Sequence, residues 1–145
     1  MVGVAWLIPA LPAAAFVLIS ALFVRRRAKW APWTLIAALS GSLALSLAAF
    51  ALVAGKGGGA EAPLVSDVTW VAVGQIKINV GTLLDPLSAT MLVVVSLVSL
   101  LIQIYSIGYM RDDPGYGSYF AYMALFSASM LGLVVSSSLL QMYLF

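Results

Sequence analysis

Cysteine and histidine are both absent from this chain of 145 residues. Without thiolate or imidazole side chains, the chain forms no disulfide and offers no ordinary ligand set for zinc, haem or an iron–sulfur cluster. We therefore expect no metal site, no cofactor-binding site and no catalytic residue in it. Any redox cofactor that matters for its function must lie on another chain.

Charged residues are also scarce, at 8% of the chain against 63% hydrophobic residues. They leave four stretches without any charge: residues 1–24, 30–55, 86–110 and 114–145. A hydrocarbon core about 30 Å thick requires roughly 20 apolar residues, so each stretch is long enough to cross a bilayer. This composition argues against a water-soluble domain, and no basic patch with interleaved aromatics suggests a nucleic-acid partner. The chain is predicted to be an integral membrane protein.

The first charge-free stretch precedes the basic cluster of residues 25–29. It is too long for a signal peptide and has its basic residues on the wrong side, so we interpret it as a retained spanning helix. Pro9 and Pro12 predict a kink or a loosened first turn in it. By the positive-inside rule, the basic loop is cytoplasmic and the N-terminus lies outside. The arginine-rich loop and the alanine-rich composition favour a bacterial plasma membrane.

Between the second and third spans the hydrophobic period changes. Residues 68–73 are β-branched and aromatic, residues 76–80 alternate apolar and polar, and Gly74 and Gln75 lie between them. This pattern predicts a short β-hairpin on the external face, and an irregular loop remains the alternative. The predicted fold class is an all-α polytopic membrane protein with four transmembrane helices, the start of a fifth, and a short extracytoplasmic β-hairpin between helices 2 and 3.

The third helix is predicted to begin with Asp85 as N-cap and Pro86 at the first helical position. It runs to about Tyr109, and the fourth helix follows from about residues 116–119 to Val135. A polar turn comes next, and a last apolar run begins at Leu139. The chain therefore looks truncated within its fifth helix.

None of the charge-free stretches contains an ionisable acid or base, although such groups inside a membrane are functional candidates by default. Four residues remain as candidates for a proton path or an interface. Asp85 would lie at the external mouth of such a path, or simply cap a helix. Asp112 and Asp113 would gather protons at the cytoplasmic surface, or form a solvated turn. Gln103 would order water, or act as a packing contact between helices.

Four short motifs occur together in order. Residues 84–88 read Leu-Asp-Pro-Leu-Ser, 105–110 read Tyr-Ser-Ile-Gly-Tyr-Met, 113–116 read Asp-Pro-Gly-Tyr and 119–123 read Tyr-Phe-Ala-Tyr-Met. In this order and spacing they resemble the start of the large proton-pumping subunit of respiratory complex I, which is chain 5 in mitochondria and the L subunit in bacteria. Residues 129–134 and 140–145 are especially similar to the F subunit of the plastid and cyanobacterial relative.

The resemblance implies a membrane-arm subunit of a complex I type NADH or ferredoxin quinone oxidoreductase, contributing to proton translocation coupled to electron transport. It implies that NAD(H), flavin, iron–sulfur clusters and quinone are bound by partner subunits, and that the partners are other membrane-arm subunits and the lipid bilayer. It also divides the chain into two N-terminal helices with a linker (1–64), a chain 5 type module (65–118) and the start of an antiporter-like module (119–145).

Two positions depart from the pattern of the family: Gln103, and the three serines at residues 136–138, where many relatives have an Asp-Asn pair or a serine followed by asparagine. Many relatives carry a histidine at the position of Gln103, and glutamine does not titrate. The glutamate and buried lysines that family members use for proton transfer have no counterpart within this sequence, so we expect no translocation by the chain alone. Two other functions remain open: the large subunit of an Mrp-type cation/proton antiporter, which shares the module, and a small membrane protein with a structural or assembly role.

Overall fold

The structure is a computed structural model that describes residues 6–24, 30–55, 64–73 and 76–145, with the backbone alone for residues 22–24, 64–73 and 76–80. The elements in this part of the chain, in order, are α1 (Leu7–Val24), α2 (Ala31–Gly55), β1 (Leu64–Val73), β2 (Ile76–Leu84), α3 (Pro86–Tyr109), α4 (Tyr116–Val135) and α5 (Leu139–Leu144).

The helices α2, α3 and α4 are long and apolar enough to cross a membrane, and α1 is a shorter apolar helix. The predicted class of mostly helical membrane protein is confirmed at this level. The start of α3 also forms as predicted, with Asp85 as N-cap and Pro86 in the first turn. A proline is favourable there because its missing N–H would have no intrahelical acceptor.

The strands β1 and β2 pair antiparallel, with Leu64 opposite Leu84 and Val73 opposite Ile76. The register shifts between Thr69 and Val71, which is typical of a β-bulge. The predicted turn at residues 74–75 lies outside the described residues.

The four helices α1 to α4 pack as a bundle, in which α1 contacts α2, α2 contacts α3, α3 contacts α4, and α4 contacts both α1 and α2. Two apolar clusters fill it. One lies at the end that carries the 111–115 turn, hereafter the turn end, and includes Leu35, Leu39 and Phe120. The other lies at the end that carries β2, hereafter the strand end, and includes Ile8 and Leu131.

A proline inside α1 is compensated by a neighbouring helix. Pro12 has no N–H, so the carbonyl of Ile8 loses the donor that a helix would supply four residues later. The hydroxyl of Ser42 on α2 donates to this carbonyl at 2.9 Å. Ser42 is fully buried. Because an unpaired carbonyl is costly away from water, this contact ties α1 to α2.

The strand end is closed by contacts between β2 and the chain after α4. Thr82 forms an isolated antiparallel bridge with Ser136. The backbone N–H of Gly81 donates to the side-chain Oε1 of Gln141 at 3.0 Å. Gln141 is buried, so α5 holds the strand in place through a hydrogen bond shielded from water.

Candidate functional site

Asp85 acts as a helix cap in the structure. Its Oδ1 accepts a hydrogen bond from the backbone N–H of Ser88 at 2.6 Å. Hydrogen bonds from the side chain and the backbone of Ser88 lower the pKa of this carboxyl below its ordinary value. The carboxylate is therefore the favoured form and is already used by the first turn of α3, as expected of an N-cap.

Asp112 and Asp113 lie in the exposed turn between α3 and α4. Asp113 Oδ1 accepts a hydrogen bond from the backbone N–H of Gly115 at 2.6 Å, two residues later. This arrangement orders a tight turn. Asp112 and Asp113 are both exposed, so both carboxylates are accessible from the aqueous side of the turn end.

Gln103 is the candidate that the structure places in the interior. Its side chain is fully buried on α3. Neither Nε2 nor Oε1 has a hydrogen-bond partner among the described residues. On either side of it along the same helix, Leu100 and Ile107 pack against the apolar cluster of the turn end. A neutral amide with two unpaired polar atoms therefore lies in an apolar environment.

The four candidates are not brought together. Asp85 and the 111–115 turn lie beyond opposite ends of α3, about 36 Å apart along a helix that rises about 1.5 Å per residue. Gln103 lies between them, about 9 Å from Tyr109 along the same axis. The structure thus offers separate polar positions at the two surfaces and one in the interior.

A hydrogen bond near Gln103 was missed by the sequence reasoning. The hydroxyls of Ser106 on α3 and Tyr119 on α4 are 2.9 Å apart. Ser106 is buried and lies three residues after Gln103, on the same face of α3. That spacing is the sequence signal that would have selected Ser106.

Among the described residues, the polar groups in this part of the interior are hydroxyls and the amide of Gln103. They bind water or join helices, and they carry no charge. In the described ranges no group of three or more His, Cys, Asp and Glu side chains is placed to hold a metal ion.

Comparison with known proteins gives one family match and several close relatives. Residues 70–120 match the family model of the N-terminus of NADH-ubiquinone oxidoreductase (complex I) chain 5. The NAD(P)H-quinone oxidoreductase subunit 5 of the Mesostigma viride chloroplast is 41% identical over 97% of this chain and 22% of its own length. Chain 5 of the same enzyme from Picosynechococcus sp. is 38% identical over the same shares.

A third relative matches over a shorter region. The chloroplast subunit 5 of Zygnema circumcarinatum is 53% identical over 54% of this chain and 11% of its own length. The chain thus spans about a fifth or less of the length of these curated relatives. Residues 70–120 match the N-terminal domain of the complex I chain 5 family, and the resemblance predicted from the sequence motifs is confirmed.

Proposed function

We propose that this chain forms the N-terminal part of a membrane-arm subunit in a complex I type NAD(P)H or ferredoxin quinone oxidoreductase, and that it contributes to proton translocation coupled to electron transport. The observation that carries the proposal is the 41% identity to a quinone oxidoreductase subunit 5 over 97% of the chain. The relatives reported above are quinone oxidoreductase subunits, so the antiporter and the small structural protein receive no support from them.

The part played by these residues is the assembly of a helical scaffold. The interior of the described bundle holds neutral polar groups and apolar side chains, which suits packing and hydration and offers no charged proton carrier. NAD(H), flavin, iron–sulfur clusters and quinone would be bound by the partner subunits. We expect Asp85, Asp112 and Asp113 to contribute a cap and a surface turn, on the strength of the hydrogen bonds that two of them accept.

The proposed topology has four spans. The 18 residues of α1 extend about 27 Å, close to the thickness of a hydrocarbon core of about 30 Å. With the basic loop 25–29 on the cytoplasmic side, the N-terminus is outside and β1 and β2 form an extracytoplasmic hairpin closed through residues 74–75. The three-part division at residues 64 and 118 follows the same scheme. We expect the membrane to be a bacterial plasma membrane.

The absence of cysteine makes this topology easy to test. Three single-cysteine variants, Val2→Cys, Thr69→Cys and Asp112→Cys, are exposed in intact cells to a membrane-impermeant maleimide. We expect labelling of the first two and protection of the third, with the reverse in inverted vesicles. Protection of Val2→Cys, with Thr69→Cys labelled and Asp112→Cys protected as expected, would refute the span by α1. Labelling of Thr69→Cys and Asp112→Cys from the same side would refute the span by α3. Fractionation of the labelled cells reports which membrane holds the chain.

The proposed function is tested by isolating the native protein. The source membrane is solubilised gently, the protein is captured through a terminal tag, and the co-purifying chains are identified by mass spectrometry. Recovery of quinone oxidoreductase subunits together with NAD(P)H- or ferredoxin-dependent quinone reduction supports the proposal. Recovery of antiporter subunits only, or of the chain without partners, overturns it.

A further inference from the structure

The buried amide of Gln103 carries an inference that does not depend on the proposed function. Its side chain has no exposed surface, and both of its polar atoms are unpaired among the described residues. A buried polar group without a hydrogen bond costs about 1–3 kcal/mol by protein mutational data. Two such atoms on one side chain, in an apolar cluster, constitute an uncommon arrangement that calls for a bound partner.

The hydroxyl protons of Ser106, Tyr119 and Ser127 on α3 and α4 already take part in other hydrogen bonds. Ser106 Oγ lies 2.7 Å from the carbonyl of Ile102 and donates to it. The hydroxyl of Tyr119 therefore donates to Ser106 Oγ, because Ser106 has a single proton to give. Ser127 on α4 likewise donates to the carbonyl of Met123 at 2.9 Å.

Ser96, seven residues before Gln103 on α3, likewise donates its proton to the carbonyl of Leu92 at 2.6 Å. These hydroxyl groups therefore have no proton left for Oε1 of Gln103. Backbone N–H groups of the helices are used within the helices. A group that donates as well as accepts would pair both polar atoms of the Gln103 amide.

We propose that Gln103 binds an internal water molecule in the half of the bundle nearest the turn end. The water donates to Oε1 of Gln103 and completes its shell on the oxygen of Ser106, which lies on the same helix face. Buried waters typically make two to four hydrogen bonds to polar groups that would otherwise be unpaired, at about one per 27 residues. Gln103 would thus hold a water molecule inside the bundle without itself titrating.

The test is a cryo-electron microscopy map of the native protein, in the assembly in which it is purified, at a resolution that shows ordered water. We expect a peak within hydrogen-bond distance of the Gln103 amide. The variant Gln103→Leu should lose this peak, because leucine fills a similar volume and offers no polar atom. The control is Ser96→Ala, which removes an equally buried polar group of α3 that is already paired, and it should keep the peak.

Three results would overturn the inference: a wild-type map without the peak, a peak that persists in Gln103→Leu, and a protein group hydrogen-bonded to both amide atoms. If Gln103→Leu does not assemble, the wild-type map decides alone. The presence or absence of the water peak does not depend on which subunits co-purify with the chain. The water site and the proposed function can therefore be confirmed or refuted separately.

Discussion

The contact between Ser42 and the carbonyl freed by Pro12 gives a quantitative prediction. The change is Ser42→Ala, which removes the donor to Ile8 O and leaves that buried carbonyl unpaired. Leaving a buried polar group unsatisfied costs about 1–3 kcal/mol, while hydrogen bonds between membrane helices average about 0.6 and reach about 1.7 kcal/mol. We expect a loss of about 1–2 kcal/mol in the free energy of unfolding, toward the upper part because no backbone donor can replace the hydroxyl.

The proline makes the reasoning specific. In a Pro12→Ala background, the new backbone N–H at position 12 reaches the carbonyl of Ile8 as in any helix. The Ser42 hydroxyl is then redundant, and Ser42→Ala should cost less than about 0.5 kcal/mol. The double-mutant cycle therefore predicts a coupling of about 1 kcal/mol between two residues on different helices.

The assay is the unfolding free energy in bicelles for the wild type, both single variants and the double variant. Ser46→Ala is the matched control, since Ser46 is equally buried on α2 and its hydroxyl donates within its own helix, to the carbonyl of Ser42 at 2.8 Å. That carbonyl keeps its backbone donor, so the control should cost under about 0.5 kcal/mol. A coupling within about 0.3 kcal/mol of zero, or an equal loss in the control, would refute the reasoning.

Three further predictions concern the cap, the packing of α4 and the anchoring of β2. Asp85→Ala should lower stability by about 1 kcal/mol at neutral pH, whereas Asp85→Asn retains the cap. Because folding lowers the pKa of this carboxyl, the wild type should lose its advantage over Asp85→Ala as the pH falls through the lowered folded value, which a pH series of thermal unfolding will show. A methyl group added at Gly132 would lie 2.6 Å from the ring of Phe145, so Gly132→Ala should destabilise by about 1–3 kcal/mol, while Gly108→Ala, with nothing within 4 Å, should be neutral or stabilising; equal melting temperatures would contradict this. Gln141→Leu should leave a strand N–H unpaired and speed hydrogen exchange in residues 76–84 by about fivefold or more, given a cost of about 1–3 kcal/mol; unchanged exchange there would show that the strand does not depend on this contact.

The helix boundaries were accessible from sequence because they follow from local chemistry. Asp85 and Pro86 start α3 with a side-chain acceptor and a residue that needs no donor, and the prediction of a helix from Pro86 to about Tyr109 is confirmed. The charged turn at residues 111–115 separates α3 from α4, also through a local contact, the hydrogen bond from the N–H of Gly115 to Asp113. The family was accessible as well, because its motifs are contiguous stretches that do not depend on packing.

The candidate site was only partly accessible. Gln103 was selected as a polar residue in a long apolar run, but its complete burial and its two unpaired amide atoms depend on which helices surround it. The bond between Ser106 and Tyr119 joins two helices across the 111–115 turn. Neither residue is unusual by type in a membrane helix, so composition does not distinguish them.

The sequence by itself determined that this is a membrane protein, where α3 and α4 begin and end, and which family its motifs match, because hydropathy, caps and short motifs are local properties of the chain. Only the tertiary structure decided that the hydroxyl of Ser42 donates a hydrogen bond to the carbonyl of Ile8, in place of the N–H that Pro12 lacks. It likewise decided that Gln141 holds the backbone of β2. In an apolar interior every polar atom needs a partner, and which atom provides it depends on how helices distant in sequence meet.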